Sequence, residues 1–236
     1  MTRLTAPRPT TRPPRILLDT SVLAPEPLWL WTLALTEGTP VAARPRLGVS
    51  RGVVRELRHA IRRIDPRLTR EQADRAARLR LDSLSRVPST HRVQSPQESA
   101  VPAHPRPHVL DLDDAHLDAA ALAWGADLLV TDDVRAFAPI SDEERGYALL
   151  TADDLLCGLA GVGPTGAGPA GQPVIAEALP RYRAHLARVE DAVGIAAPPG
   201  PPSHRLRRSR ARRFAKLVVR AQRTQADGGP RSRSAG

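Results

Sequence analysis

Asp113-Asp-Ala-His-Leu-Asp-Ala-Ala-Ala-Leu-Ala-Trp-Gly-Ala-Asp-Leu-Leu-Val-Thr-Asp-Asp133 is the stretch from which the rest of the chain is read. Asp113 or Asp114 is suited to cap a helix running through Trp124. Gly125 stops that helix, since a residue without Cβ takes the left-handed C-terminal position at little steric cost. Asp127-Leu-Leu-Val-Thr131 then has the length and apolar character of a buried parallel strand. A capped helix delivered into a short buried strand is the repeating unit of an α/β sheet protein.

The same alternation extends outward. Upstream, Ile16-Leu-Leu18 is a short apolar run that ends at Asp19. Leu28–Leu35 reads as a helix stopped by Glu37-Gly38, and Val41–Val49 contains a second strand weakened by Pro45. Ser50 caps the next helix, on which Val53, Leu57, Ala60, Ile61 and Ile64 share a face opposite Arg55, Arg58 and Arg62. Glu56 falls about 85° from the centre of that apolar face, so it borders the core. Leu68–Leu84 is a further helix. Residues 87–107 hold five prolines and read as an irregular connection, followed by a short strand or extended segment at Val109–Leu112. Downstream, a helical turn at Val134–Phe137 precedes a strand at Tyr147–Thr151, and Thr151 with Asp154 starts a helix through Leu159. The expected fold is a three-layer α/β/α sandwich with a short, mostly parallel central sheet, followed by a disordered basic C-terminal tail.

Composition divides the chain. Residues 1–14 are rich in Pro and Thr and read as disordered, residues 15–160 as the folded domain, and residues 161–173 as a Gly/Pro linker. Residues 174–195 read as a helix or helix pair broken by Pro180, and residues 196–236 as the basic tail, whose Phe214, Leu217 and Val218 would make a short amphipathic helix on binding. The net charge of +10 is unevenly spread. From His204 to Gly236 there are ten Arg, Lys216 and one acid, a net of +10, and the first fifteen residues add four Arg. Residues 16–203 carry 20 Arg against 24 Asp and Glu, a net of −4. A basic end favours phosphate contacts through counterion release, although a single Lys among 35 basic residues discounts any one Arg as a signal.

No stretch reaches the ~20 apolar residues of a membrane helix. Asp19 inside Ile16–Leu23 disfavours a signal peptide, and the single Cys157 excludes an intramolecular disulfide. The chain reads as soluble and cytoplasmic.

Four carboxylates stand where apolar segments give way to polar or helical ones: Asp19, Glu56, Asp114 and Asp133. Singly, each is more often a helix cap or a surface charge. Jointly, at strand ends and helix starts, they are placed for the cleft outside the carboxyl ends of a parallel sheet. Several carboxylates in one cleft call for a hard cation, Mg²⁺ or Mn²⁺. Asp113 beside Asp114 and Asp132 beside Asp133 leave the choice open on these grounds alone.

Leu17-Leu-Asp-Thr-Ser-Val-Leu23, Val53-Val-Arg-Glu-Leu57, Asp113–Asp133 and Gly146-Tyr-Ala-Leu-Leu-Thr151 together resemble the PIN-domain proteins, the nuclease fold of VapC-type toxins. The resemblance spans about residues 15–160 and leaves both basic ends unexplained. It implies Asp19, Glu56, Asp114 and Asp133 as catalytic, metal-binding acids, Ser21 and Thr131 as supporting hydroxyls, and His116 as a hydrogen-bonding neighbour of the cleft. It also selects Asp114 over Asp113 and Asp133 over Asp132. The implied activity is hydrolysis of RNA phosphodiester bonds by a metal-activated water, with Mg²⁺ (or Mn²⁺) as cofactor and RNA as substrate. The implied partners are a cognate antitoxin of a type II toxin–antitoxin pair and a second copy in a homodimer. The alternative is a catalytically weak PIN-like module that binds RNA or protein. A nucleotide-binding doubly wound domain is disfavoured, because no Gly-x-Gly-x-x-Gly follows the first strand.

Overall fold

The computed structural model describes residues 12–88, 90–93, 110, 114–137, 140–162, 171–196 and 200–227. Strand β1 (Arg15–Leu18) leads through the single turn α1 (Thr20–Leu23) into α2 (Glu26–Gly38) and strand β2 (Arg46–Ser50). Helices α3 (Arg51–Ile64) and α4 (Arg70–Ser85) precede β3 (Thr90–Val93). Helix α5 (Ala115–Trp124) delivers β4 (Leu128–Val130), and α6 (Asp142–Arg145) delivers β5 (Ala148–Leu150). Helices α7 (Ala152–Leu159), α8 (Gly171–Val193), α9 (Pro202–Arg208) and α10 (Arg212–Asp227) follow.

The sheet is parallel throughout, in the order β3-β2-β1-β4-β5. The chain grows outward from β1 to β3, then crosses back to place β4 on the other side of β1. Because right-handed crossovers are nearly universal, this reversal puts the helices that follow β1 and β2 on one face and α5 on the other. Ile16, Leu17 and Leu18 are all buried, as both faces of a covered strand must be. The sandwich expected from the sequence is therefore observed. Among the described residues no helix is long and apolar enough to cross a membrane.

Local chemistry sets most boundaries. Ser50 Oγ accepts from Val53 N–H and starts α3, while Thr69 with Gln72 and Thr151 with Asp154 form reciprocal capping boxes on α4 and α7. Gly125 ends α5 at φ 62°, the left-handed geometry expected of it.

Three expectations are corrected. The proline-rich connection contains an edge strand, β3, paired with β2 from Leu47↔Thr90 to Ser50↔Val93, because Thr90-His-Arg-Val93 lies between the prolines and needs only backbone groups to add to an open edge. The proposed strand at Val109–Leu112 lies largely outside the described residues. Pro180 does not divide the segment 174–195, since α8 is one helix with Ile175, Ala178, Leu179 and Tyr182 buried around it. That packing offsets the ~3 kcal/mol a proline costs inside a helix.

The third correction is the tail. Residues 202–227 are not a solvated extension but two helices packed on the domain. Leu206, Ala211, Phe214, Ala215 and Val218 are fully buried. Trp31 on α2 stacks on Tyr182 at 4.7 Å and meets Phe214 edge-on at 5.2 Å. Arg205 reaches Glu26 at 2.6 Å, and Tyr182 Oη donates to the same carboxylate at 3.3 Å. Burial raises the Glu26 carboxyl above its ordinary range, with Arg205 and Arg80 pulling the other way. Charge density misled the sequence reading, because an amphipathic helix with one strongly basic face resembles a disordered basic segment when only composition is counted.

Phe214→Ala is expected to lower the free energy of unfolding by about 3–5 kcal/mol in a urea titration followed by circular dichroism. A solvated tail would give a change near zero.

Candidate active site

The reversal of strand order lies between β1 and β4, and there the carboxyl ends of the two strands are bonded together. Asp19 N–H donates to Val130 C=O at 3.0 Å, keeping the chain in the sheet for one residue beyond β1. The Asp19 side chain then caps α1. Its Oδ1 accepts from Thr20 N–H, and its Oδ2 accepts from Ser21 N–H at 3.2 Å, Ser21 Oγ at 2.6 Å and Thr131 Oγ1 at 2.9 Å. The residue is 7% exposed. A carboxylate so far from water is tolerable because donors converge on it, and charge-assisted hydrogen bonds are the strong kind.

The two hydroxyls have a second task. Ser21 Oγ accepts from Asp132 N–H at 3.0 Å, and Thr131 Oγ1 accepts from Asp133 N–H at 3.1 Å. Each hydroxyl has one proton, and both protons go to Asp19, so their lone pairs are turned toward the chain leaving β4. Ser21 and Thr131 thus each hold Asp19 and receive an amide of the chain beyond β4. These two side chains join the first and fourth strands across the crossover.

Glu56 arrives from the second turn of α3. Its Oε2 accepts from Thr20 Oγ1 at 3.3 Å, and its Oε1 lies 3.8 Å from His116 Nε2. Glu56 is 49% exposed, consistent with the border position read from the helical period. His116 is carried on the first turn of α5, two residues after Asp114, which is half-buried at the helix start and makes no side-chain cap hydrogen bond to it. Gly52 permits this meeting of helices. A Cβ at Gly52 would lie 2.1 Å from the His116 ring, so the imidazole occupies the space a side chain would take.

The adjacent acids part company. Asp132 is half-buried, and its Oδ1 accepts from Ala152 N–H at 3.1 Å, the first amide of α7. Burial raises its carboxyl above the usual range; Ala152 and Arg210 oppose that, while Asp19 and Asp153 add to it. Asp133 is exposed and precedes a short 3-10 turn, Val134–Ala136. Asp132 therefore ties β4 to α7, and Asp133 faces outward. Asp118, one turn along α5, is engaged by Tyr147 Oη at 2.6 Å and holds the entry to β5. Cys157 is buried, and burial followed by Asp153 pushes its thiol up to about 11, so it stays protonated near neutrality.

Hard oxygen donors dominate the site, the chemistry suited to Mg²⁺ or Mn²⁺. Among the described residues, however, no three of Asp, Glu, His and Cys approach closely enough to hold one ion. Asp19 Oδ2 is already occupied by three hydrogen bonds. The arrangement fits a cation carried on one or two carboxylates with water completing its shell, the usual manner of Mg²⁺, and does not fit a closed protein cage.

Comparison with protein-family models, with curated proteins and with solved structures found no match. Sequence reasoning missed Thr20, Gly52 and the part played by Asp132. Thr20 was legible only as the residue after Asp19, and Gly52 only as a glycine in a helical first turn.

Thr131→Val is expected to lower stability by about 1–3 kcal/mol in chemical denaturation, because it removes one donor to Asp19 and strands Asp133 N–H. Thr131→Ser, which keeps the hydroxyl, should recover most of that loss.

Proposed function

We propose that this chain is a divalent-metal-dependent endoribonuclease of the PIN type, acting as the toxin of a type II toxin–antitoxin pair. The observation that carries the reading is the position of Asp19. It is held by Ser21 and Thr131 at the crossover of a parallel sheet, with Glu56 and His116 reached across Thr20. Ligand sites of open α/β sheets lie at such crossovers, outside the carboxyl ends of the strands.

In this reading Asp19 is the fixed anchor, and its donors hold its carboxylate in one orientation. Asp114 and Asp133, at the start of α5 and the end of β4, flank the opening. Asp19 with Glu56 or Asp133 would hold Mg²⁺, or Mn²⁺, through one or two carboxylates. A bound divalent ion lowers the pKa of its water and offsets charge developing on a scissile phosphate. Glu56, half-exposed and fastened to Thr20 Oγ1, is the carboxylate placed to take a proton from the attacking water. His116 lies beside it, with Nε2 3.8 Å from Glu56 Oε1. The nucleophile is water, since Ser21 has its hydroxyl proton committed to Asp19 and Cys157 is buried and protonated.

A second reading is favoured by one specific observation, the lack of three converging metal-binding side chains among the described residues. A PIN-like module that binds RNA or protein with little turnover would also keep the hydrogen-bonded Asp19.

Incubation with a mixed RNA pool and Mg²⁺ should give cleavage that EDTA abolishes. Asp19→Asn and Glu56→Gln should each lower kcat/KM by roughly 100-fold or more. Glu56 is exposed enough that its variant should stay folded. Turnover that persists in EDTA, or in both variants, would exclude the metal-dependent mechanism. Binding of Mn²⁺ in calorimetry without turnover would favour the binding module. The toxin assignment requires that expression alone arrest growth and that a neighbouring gene product relieve the arrest.

A further inference from the structure

The C-terminal helices bring the chain's basic charge to the mouth of the acidic site. Asp153, the second residue of α7, accepts from Arg213 N–H at 3.1 Å and from Phe214 N–H at 2.9 Å, so it caps α10 from another part of the chain. Arg213 also pairs with Asp153 at 3.1 Å and with Asp154. The residue before Asp153, Ala152, gives its N–H to Asp132 at the end of β4. One continuous set of hydrogen bonds therefore runs from β4, through the start of α7, to the start of α10. Arg210, in the α9–α10 corner, is held at φ 65°, a left-handed conformation uncommon for a residue with a side chain. Its charge acts on Asp132.

From this corner a row of cations leads away. Arg212, Lys216, Arg220 and Arg223 are exposed, and by the helical period they share about 80° of arc on α10. Phe214, Leu217, Val218 and Ala221 occupy the opposite face and are buried. The row extends roughly 16 Å along the axis. Arg207 on α9 and Arg210 in the corner after it are exposed as well. Arg213 is the cation of this helix spent on carboxylates, and it serves to fix the start of the row.

We propose that the exposed edge formed by Arg210, Arg212, Lys216, Arg220 and Arg223 is a binding track for the phosphate backbone of single-stranded RNA, leading the strand to the acids at the ends of β1 and β4. The choice of RNA as occupant rests on the proposed nuclease reading. Charge complementarity supplies the rest: residues 16–203 carry a net charge of −4, and this basic row stands on one edge that is tied to the site through Asp153 and Asp132. Phosphate contacts carry affinity and register without reading sequence, which suits a row of flexible cations lacking interleaved aromatic side chains.

The test uses the full chain with EDTA present, so that binding is separated from turnover, and a short fluorescein-labelled poly-uridine as probe. Anisotropy titrations between about 50 and 200 mM salt report the slope of log K against log salt. The triple variant Arg212→Gln/Lys216→Gln/Arg220→Gln is expected to bind at least tenfold more weakly. Its slope should fall by about 2, since each single-strand phosphate contact contributes about 0.7. Arg62→Gln/Arg63→Gln/Arg70→Gln, equally exposed on α3 and α4, should bind like the wild type, and Arg212→Lys/Arg220→Lys should keep the wild-type slope. Unchanged affinity in the first variant, an unchanged slope, an equal loss in the second, or equal competition by poly-glutamate would overturn the proposal. Track-dependent binding by a protein that never cleaves would remove the nuclease reading and leave the track. Cleavage with RNA binding unaltered by the first variant would do the reverse.

Discussion

A carboxylate buried at the end of a central strand must be surrounded by donors, and much of this molecule's geometry follows from meeting that demand at Asp19. Little of it is open to water, so Thr20, Ser21 and Thr131 supply its donors. Thr20 and Ser21 can do so only if the chain turns into α1 directly after β1, which sets the path toward α2. Thr131 can do so only if β4 lies beside β1, and that adjacency is the strand-order reversal itself. The same two hydroxyls accept the next amides of the chain leaving β4, so its exit is fixed by the residue that the site is built around. An apolar residue at 19 would leave the backbone ladder of β1 with β4 in place, but no carboxylate to orient the Ser21 and Thr131 hydroxyls.

The far side of the molecule is organised by aromatic surface. The chain has only 3% aromatic residues, and Trp31, Tyr182 and Phe214 are gathered into one contact. They come from α2, α8 and α10, so the first crossover helix serves as the platform for the last helices. Large aromatic side chains bury 150–250 Å² each by the usual scale, and few are needed to seat a helix when neighbouring positions are Ala, Leu and Val. The ion pair of Arg205 with Glu26 adds orientation more than stability, because desolvating both charges offsets most of their attraction.

What the sequence disclosed, and what it hid, divides by the range of the responsible forces. Helix starts at Ser50 and Thr151 and the stop at Gly125 follow from groups within three residues of one another, and they were legible as capping chemistry; the Thr69 capping box on α4 was not read. The buried strands were legible from continuous apolar runs. Strand β3 was not, because an edge strand is made by backbone bonds to a neighbour distant in sequence and Thr90-His-Arg-Val93 has no apolar run. The positions of Asp19 and Glu56 were readable from strand ends and helical period. Their joining through Thr20 was not, since that hydroxyl is unremarkable until α3 is set against α1. For the adjacent acids Asp132 and Asp133 the residue pattern alone left the choice open. It could not foretell that Asp132 would be drawn to the first amide of α7.

That division between Asp132 and Asp133 bears on how an acidic site and a basic edge coexist. If both carboxylates faced the opening, the mouth of the site would carry more uncompensated negative charge and would hold a polyanion away at low salt. Asp132 instead spends an oxygen on Ala152 and lies under the influence of Arg210, while Asp153 and Asp154 are paired with Arg213. Three acids next to the site are thereby partly compensated by the start of the C-terminal helices. Lys216, Arg220 and Arg223, beyond Arg213, face solvent. Packing α10 against α7 thus does two things with one set of contacts. It partly compensates Asp132, Asp153 and Asp154, and it sets an exposed basic row on the solvent face of α10. A disordered tail of equal charge would supply the same average attraction, but it would not hold that charge in a fixed relation to Asp19.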